Sequence, residues 1–107
     1  AMTQNNLGAA YRTLAQSKDK AKNCQLAITA FQKALEICTK EHLPIQYAMI
    51  QNNLGNAYAI LAEVQDKVKN IHLAKEAYQE ALKIYKKEEY PDVYELINKN
   101  ILLLEEK

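Results

Sequence analysis

Gln51-Asn52-Asn53-Leu54-Gly55-Asn56-Ala57-Tyr58 is the second occurrence of a pattern first written as Gln4-Asn5-Asn6-Leu7-Gly8-Ala9-Ala10-Tyr11, 47 residues earlier. The same offset takes Asn23 to Asn70, Ala27 to Ala74, Phe31 to Tyr78, Ala34-Leu35 to Ala81-Leu82 and Pro44 to Pro91. Residues 1–47 and 48–94 align without a gap and are identical at 26 of 47 positions, so the chain is a tandem duplication. A self-similar period of this length is the mark of a repeat architecture, in which each unit buries its apolar face against its neighbour. Residues 95–107 begin a third copy and drift from it: Lys99 stands at the position of Asn52, and Leu102 at that of Gly55.

Each copy reads as two helices. Leu7, Tyr11 and Leu14 recur at i, i+4, i+7, one apolar helical stripe, and Ala27, Phe31, Ala34, Leu35 and Cys38 form a second. Between them Ser17-Lys18-Asp19-Lys20-Ala21-Lys22 is polar and aperiodic, a loop, with its equivalent at 64–69. Asn23 and Asn70 are placed to cap the second helix of each copy. Pro44 and Pro91 are tolerated in a first helical turn and push the residue before them out of helical geometry, so each closes one hairpin and opens the next helix. The expected organisation is all-α with five helices. The first repeat spans 1–43, with helices near 2–16 and 24–41. The second spans 44–90, with helices near 44–63 and 71–88. A closing helix spans 91–107.

Composition agrees with a small helical array. Hydrophobic residues make up 49% of the 107 and charged residues 25%, a globular balance. Two Gly and two Pro are too few for a turn-rich β sandwich or barrel. A net charge of +1 gives no field that would mark a nucleic-acid or membrane binder. No apolar run reaches the roughly 18 residues of a membrane span, and no signal peptide opens the chain. Ala1-Met2 aligns with Ala48-Met49, which reads as a position inside a longer array.

Leu7-Gly8-x-x-Tyr11, Ala27-x-x-x-Phe31-x-x-Ala34 and Pro44, met again 47 residues later, resemble the tetratricopeptide repeat. The resemblance covers the whole chain, with departures. The period is longer than the family's usual one. Gln4 and Gln51 stand where that pattern has an aromatic residue. The long repeat with its Asn-Asn-Leu-Gly signature is similar to arrays in kinesin light chains and in multidomain bacterial signalling proteins. The resemblance implies a right-handed superhelix of antiparallel hairpins whose first helices line a concave groove. It also implies binding of an extended peptide or a partner helix there, without catalysis or a cofactor.

Helical geometry selects the groove residues. At 100° per residue Asn5 lies about 160° from Leu7, with Ala9 and Arg12 on the same side. Asn52 and Asn56 repeat that arrangement, Lys99 continues it, and Asn53 lies in the adjacent row with Asn6 and Asn100. Asn is a poor helix-interior residue, because its side chain competes for backbone hydrogen bonds. Its amide both donates and accepts, so it can read the main chain of an extended peptide. The candidate peptide-binding residues are therefore Asn5, Ala9, Arg12, Asn52, Asn53, Asn56 and Lys99. The competing reading makes these asparagines bridges between neighbouring helices. Some members of the family clamp a peptide carboxylate with Lys, Asn and Arg. Only Asn53 fits that pattern, while Asn5, Ala9, Leu96 and Asn100 depart from it, so no such clamp is expected.

Other chemistry fades on inspection. Cys24 and Cys38 read as residues of one helix about 21 Å apart along its axis, beyond disulfide reach. Their counterparts Ile71 and Tyr85 mark them as packing residues, and without a disulfide framework a cytoplasmic setting is expected. His42 and His72 form no metal-spaced set, and no nucleophilic triad or phosphate loop is visible. Lys18, Lys20, Lys22, Lys67 and Lys69 would line one edge, a solvated surface or a contact for an acidic partner or nucleic acid. Gly8 and Gly55 each cost about 1 kcal/mol against Ala in a helix, so each is expected to face a small residue of a neighbour. Two readings of function stand: a peptide- or helix-binding module, and a structural array segment whose open ends stack on copies of itself.

Overall fold

The computed structural model describes residues 19–106. They form four helices: α1 (Lys20–Leu35), α2 (Pro44–Leu61), α3 (Lys67–Leu82) and α4 (Pro91–Glu105). Consecutive helices pack as antiparallel pairs, and the described chain is all-α. The expected helix at 2–16, with Gly8 and the first copy of the repeat signature, lies outside the described residues.

The 47-residue period is written into the backbone. Asp19 and Asp66 both take left-handed geometry, at φ 50° and 43°, and each carbonyl accepts the amide of the residue four on, Asn23 or Asn70, at 2.9 Å. Cys38 N–H bonds Ala34 O, and Tyr85 N–H bonds Ala81 O, both at 2.9 Å. Leu43 and Tyr90 have φ near −136° and −135°, outside the helical region, each just before a proline in the first turn of the next helix. The proline boundaries expected from sequence are therefore correct.

The caps and two helix ends differ from expectation. α1 and α3 begin at Lys20 and Lys67, four residues earlier than expected, and the N-cap positions belong to Asp19 and Asp66. Neither aspartate makes a side-chain capping bond. Asn70 sits inside the first turn of α3, buried, where its Nδ2 donates to Gln65 O at 2.9 Å and ties down the α2–α3 turn. Lys20, Lys22, Lys67 and Lys69 are thus helical rather than loop residues, while Lys18 lies outside the described residues. α1 and α3 end at Leu35 and Leu82, about six residues early. Their last turns tighten through bonds from Glu36 to Lys33 and from Lys83 to Glu80. Cys38 follows in a turn beyond the end of α1, not in the same helix as Cys24, and both thiols are free and buried.

Two cores share α2. The first joins Cys24, Ala27, Phe31 and Ala34 of α1 to Ile50, Leu54, Ala57 and Leu61 of α2. The second joins Ala48 of α2 to Ala74, Tyr78 and Ala81 of α3 and to Ile97 and Leu104 of α4, with Ala59 packed against it. Tyr85 and Tyr90 stack edge to face, ring centroids 5.3 Å apart, at the α3–α4 turn. Gly55 packs against Tyr78, not against a small residue. A Cβ built on Gly55 would lie 2.6 Å from both Cδ1 and Cε1 of that ring.

Candidate binding surfaces

α2 presents two surfaces that no other described helix fully covers. On one side Tyr47, Gln51, Leu54 and Tyr58 fall within about 60° of one another on the helix. Gln51, Leu54 and Tyr58 meet α3 along a shallow groove of about 220 Å³, floored by Leu54, Leu73 and Ala77 and rimmed by Glu76 and Glu80. The Tyr58 hydroxyl accepts Gln32 Nε2 of α1 at 3.4 Å, so three helices meet at this groove.

Its end is closed by a polar cluster. The Tyr47 hydroxyl donates to Glu80, and Lys83 pairs with the other oxygen of that carboxylate. Lys83 first, then Tyr47, hold Glu80 below the usual carboxylate range. Burial and the neighbouring Glu80 push Tyr47 up to about 12. Burial also raises Tyr58, against the opposing Gln32 bond. Glu76 sits 3.2 Å from His72 on the exposed side of α3. Sequence reasoning does not find this groove, because it reads Leu7, Tyr11 and Leu14, the equivalents of Leu54, Tyr58 and Leu61, simply as one apolar stripe. The signal was Gln51, a polar residue where the repeat pattern has an aromatic one.

On the other side of α2, Asn52 and Asn56 each lie about 160° from Leu54. The two amides differ in environment. Asn56 Oδ1 accepts the Tyr78 hydroxyl at 2.5 Å, so this asparagine serves the α2–α3 contact. Asn52 is half-buried, and its Oδ1 is fully covered with no hydrogen-bond partner among the described residues. Asn53 is half-buried beside them. Lys99 is exposed on α4, and it stands between Leu96 and Leu103, 54% and 45% exposed. Leu96, Lys99 and Leu103 are the repeat equivalents of Met49, Asn52 and Asn56. Asn5, Ala9 and Arg12, the expected remainder of this strip, lie outside the described residues.

The lysine edge is partly engaged, since Lys20 Nζ pairs with Glu63 at 3.0 Å, while Lys22, Lys67 and Lys69 are exposed. Burial pushes the Cys24 thiol up to about 11, the wrong direction for a reactive thiolate. Among the described residues no group of three or more His, Cys, Asp or Glu side chains could hold a metal ion, and no helix is long and apolar enough to cross a membrane. No protein-family model, curated protein or solved structure matches the chain.

Proposed function

We propose that this chain is a tetratricopeptide-type array acting as a protein-interaction module. The ligand is an extended peptide or partner helix lying across the face of α2 and α4 that carries Asn52, Asn56 and Lys99. The observation that carries this reading is the exposure of Leu96 and Leu103 on either side of Lys99. They prolong on α4 the face that Asn52 and Asn56 occupy on α2, one repeat away. Exposed apolar side chains around a cation suit a ligand with apolar residues flanking a carboxylate. The sequence pattern Leu-Gly-x-x-Tyr, Ala-x-x-x-Tyr-x-x-Ala and Pro supports the family assignment, as does the recurrence of the same backbone turns at the same offset.

Selection of displayed random peptides against the full chain tests the proposal. Enriched peptides should carry acidic residues among apolar ones. Lys99→Glu should weaken their binding at least tenfold, about 1.4 kcal/mol, without changing the melting temperature. Failure to enrich any peptide, or enriched peptides indifferent to Lys99→Glu, would sink it. The exposure of Leu102, at 60%, beside Leu96 and Leu103 favours a second reading, a structural segment that stacks on copies of itself through α4. Light-scattering mass across a concentration series separates the two.

A further inference from the structure

We infer that the outward face of α4 is closed to a further copy of this hairpin, so that the repeat cannot be continued there by its own kind. The inference rests on what α2 and α4 carry at equivalent positions. On α2, Ala48, Gly55 and Ala59 form one stripe, at i, i+7 and i+11. This is the stripe on which the next part of the chain closes. Ala48 is fully buried in the core shared with α3 and α4, Ala59 packs against that core, and Gly55 takes the ring of Tyr78. Ala48, Gly55 and Ala59 are small, with Asn52 completing the row at i+4, and Gly55 has to be small: a single added carbon would sit 2.6 Å from two ring atoms.

Shifted by 47 residues, the same stripe on α4 reads Glu95, Leu102 and Glu106. All three are exposed. A helix like α3 laid on this face would press its aromatic ring onto Leu102, a side chain four carbons larger than the hydrogen it replaces. It would also take Glu95 and Glu106 out of water, with only Lys99, one turn from Glu95 in the same row, to set against two carboxylates. Overpacking at Leu102 and the desolvation of these carboxylates both oppose docking. The three replacements act together and in one direction. They also narrow the stacking alternative: copies that meet on α4 do so through the neighbouring Leu96 and Leu103, not by continuing the repeat over Leu102.

The test continues the chain in register. Because position 108 would be the repeat equivalent of Leu61, a second copy of residues 61–90 is appended directly after Lys107. Hydrogen exchange read by mass spectrometry then reports whether the appended helix docks. On unaltered α4 it should exchange like a free peptide. With Glu95→Ala, Leu102→Gly and Glu106→Ala it should slow at least about tenfold. Protection of α1 to α4 in the same data shows that the body of the protein is folded. A second fusion keeps Leu102, carries Glu95→Ala and Glu106→Ala, and replaces the appended counterpart of Tyr78 by Ala. It should also dock, since the bulk is exchanged across the same contact. Protection of the appended helix on unaltered α4 would overturn the inference. So would its absence from both altered fusions with the native helices intact.

Discussion

The ring of Tyr78 on α3 lies against the backbone of α2 at Gly55, so close that a Cβ there would stand 2.6 Å from two ring carbons. Tyr78 is 2% exposed and cannot swing aside into solvent. Gly55→Ala sets two effects against each other. Helix propensity favours Ala by about 1 kcal/mol. The clash costs about 1–3 kcal/mol, because a packed core yields only by shifting backbone or side chains off their minima. The net expectation is a loss of about 1 kcal/mol for Gly55→Ala, with a larger loss for Gly55→Leu, read from urea melts. In a Tyr78→Leu background the penalty of Gly55→Ala should shrink, with coupling of about 0.5 kcal/mol or more. A stabilising Gly55→Ala would show that the ring moves freely.

The same ring carries the next expectation. Its hydroxyl donates to Asn56 Oδ1, whereas the Oδ1 of Asn52, four residues earlier, is covered and without a partner among the described residues. Removing one partner of a partly buried hydrogen bond costs about 0.5–1.5 kcal/mol. Asn56→Ala and Tyr78→Phe should therefore each destabilise by about that amount, and the double change should cost less than their sum. Asn52→Ala removes an unpaired acceptor and installs a better helix former, so it should be neutral or stabilising. The sequence alone treats the two asparagines alike, as candidate peptide contacts. Thermal melts of the two single variants separate them.

Tyr47 and Glu80 join the start of α2 to the end of α3, and their titrations run in opposite directions. The Tyr47 hydroxyl is raised from 10.0 to about 12 by burial first and by Glu80 next. In the unfolded chain it ionises near 10, so above that pH the unfolded state holds fewer protons and stability falls with rising pH. The contribution of Tyr47 is thus fully present below about pH 10 and lost between about 10 and 12. Glu80 is lowered, chiefly by Lys83, so its contribution is present at neutral pH and lost as pH falls through its folded value. Urea melts at pH 7, 10 and 11.5 should show a shallower alkaline loss for Tyr47→Phe than for the wild type. Part of the slope should persist, because burial also raises Tyr58 and Tyr85. Identical alkaline slopes would mean that Tyr47 is not held by Glu80 in solution.

The fold was legible where one residue type dictates geometry. Pro44 and Pro91 set their helix starts, since proline constrains both itself and the residue before it. The stops after Leu35 and Leu82 were not legible. Glu36-Ile37 and Lys83-Ile84 are helix-compatible, and the chain turns there as Cys38 and Tyr85 enter the core, a tertiary cause. Gly55 announced a close approach but not its partner, because the packing of Tyr78 depends on how α2 and α3 cross. On the candidate surface, Lys99 is exposed, whereas the engagement of Asn56 by Tyr78 could not be read from one helix considered by itself.

Asp19 and Asp66 show most plainly what a capping signal hides. Asn23 and Asn70 have the side chains that usually cap, yet the helices begin at the left-handed aspartates before them. At φ 43°, Asp66 occupies a region that costs most L-residues about 1–2 kcal/mol, which Asp and Asn tolerate better than others. Its carboxylate makes no capping hydrogen bond, so what it adds is charge at the helix N-terminus, about 0.3–1 kcal/mol. Asp66→Gly loses that charge and gains unfolded-state freedom, but it removes the backbone strain. It should stay within about 0.5 kcal/mol of wild type. Asp66→Val keeps the strain, adds branching at Cβ and loses the charge, so it should cost about 1–2 kcal/mol or more. Urea melts of the three proteins should rank Gly close to Asp, with Val clearly below. A valine variant as stable as the glycine one would show that the left-handed turn at Asp66 is not what starts α3.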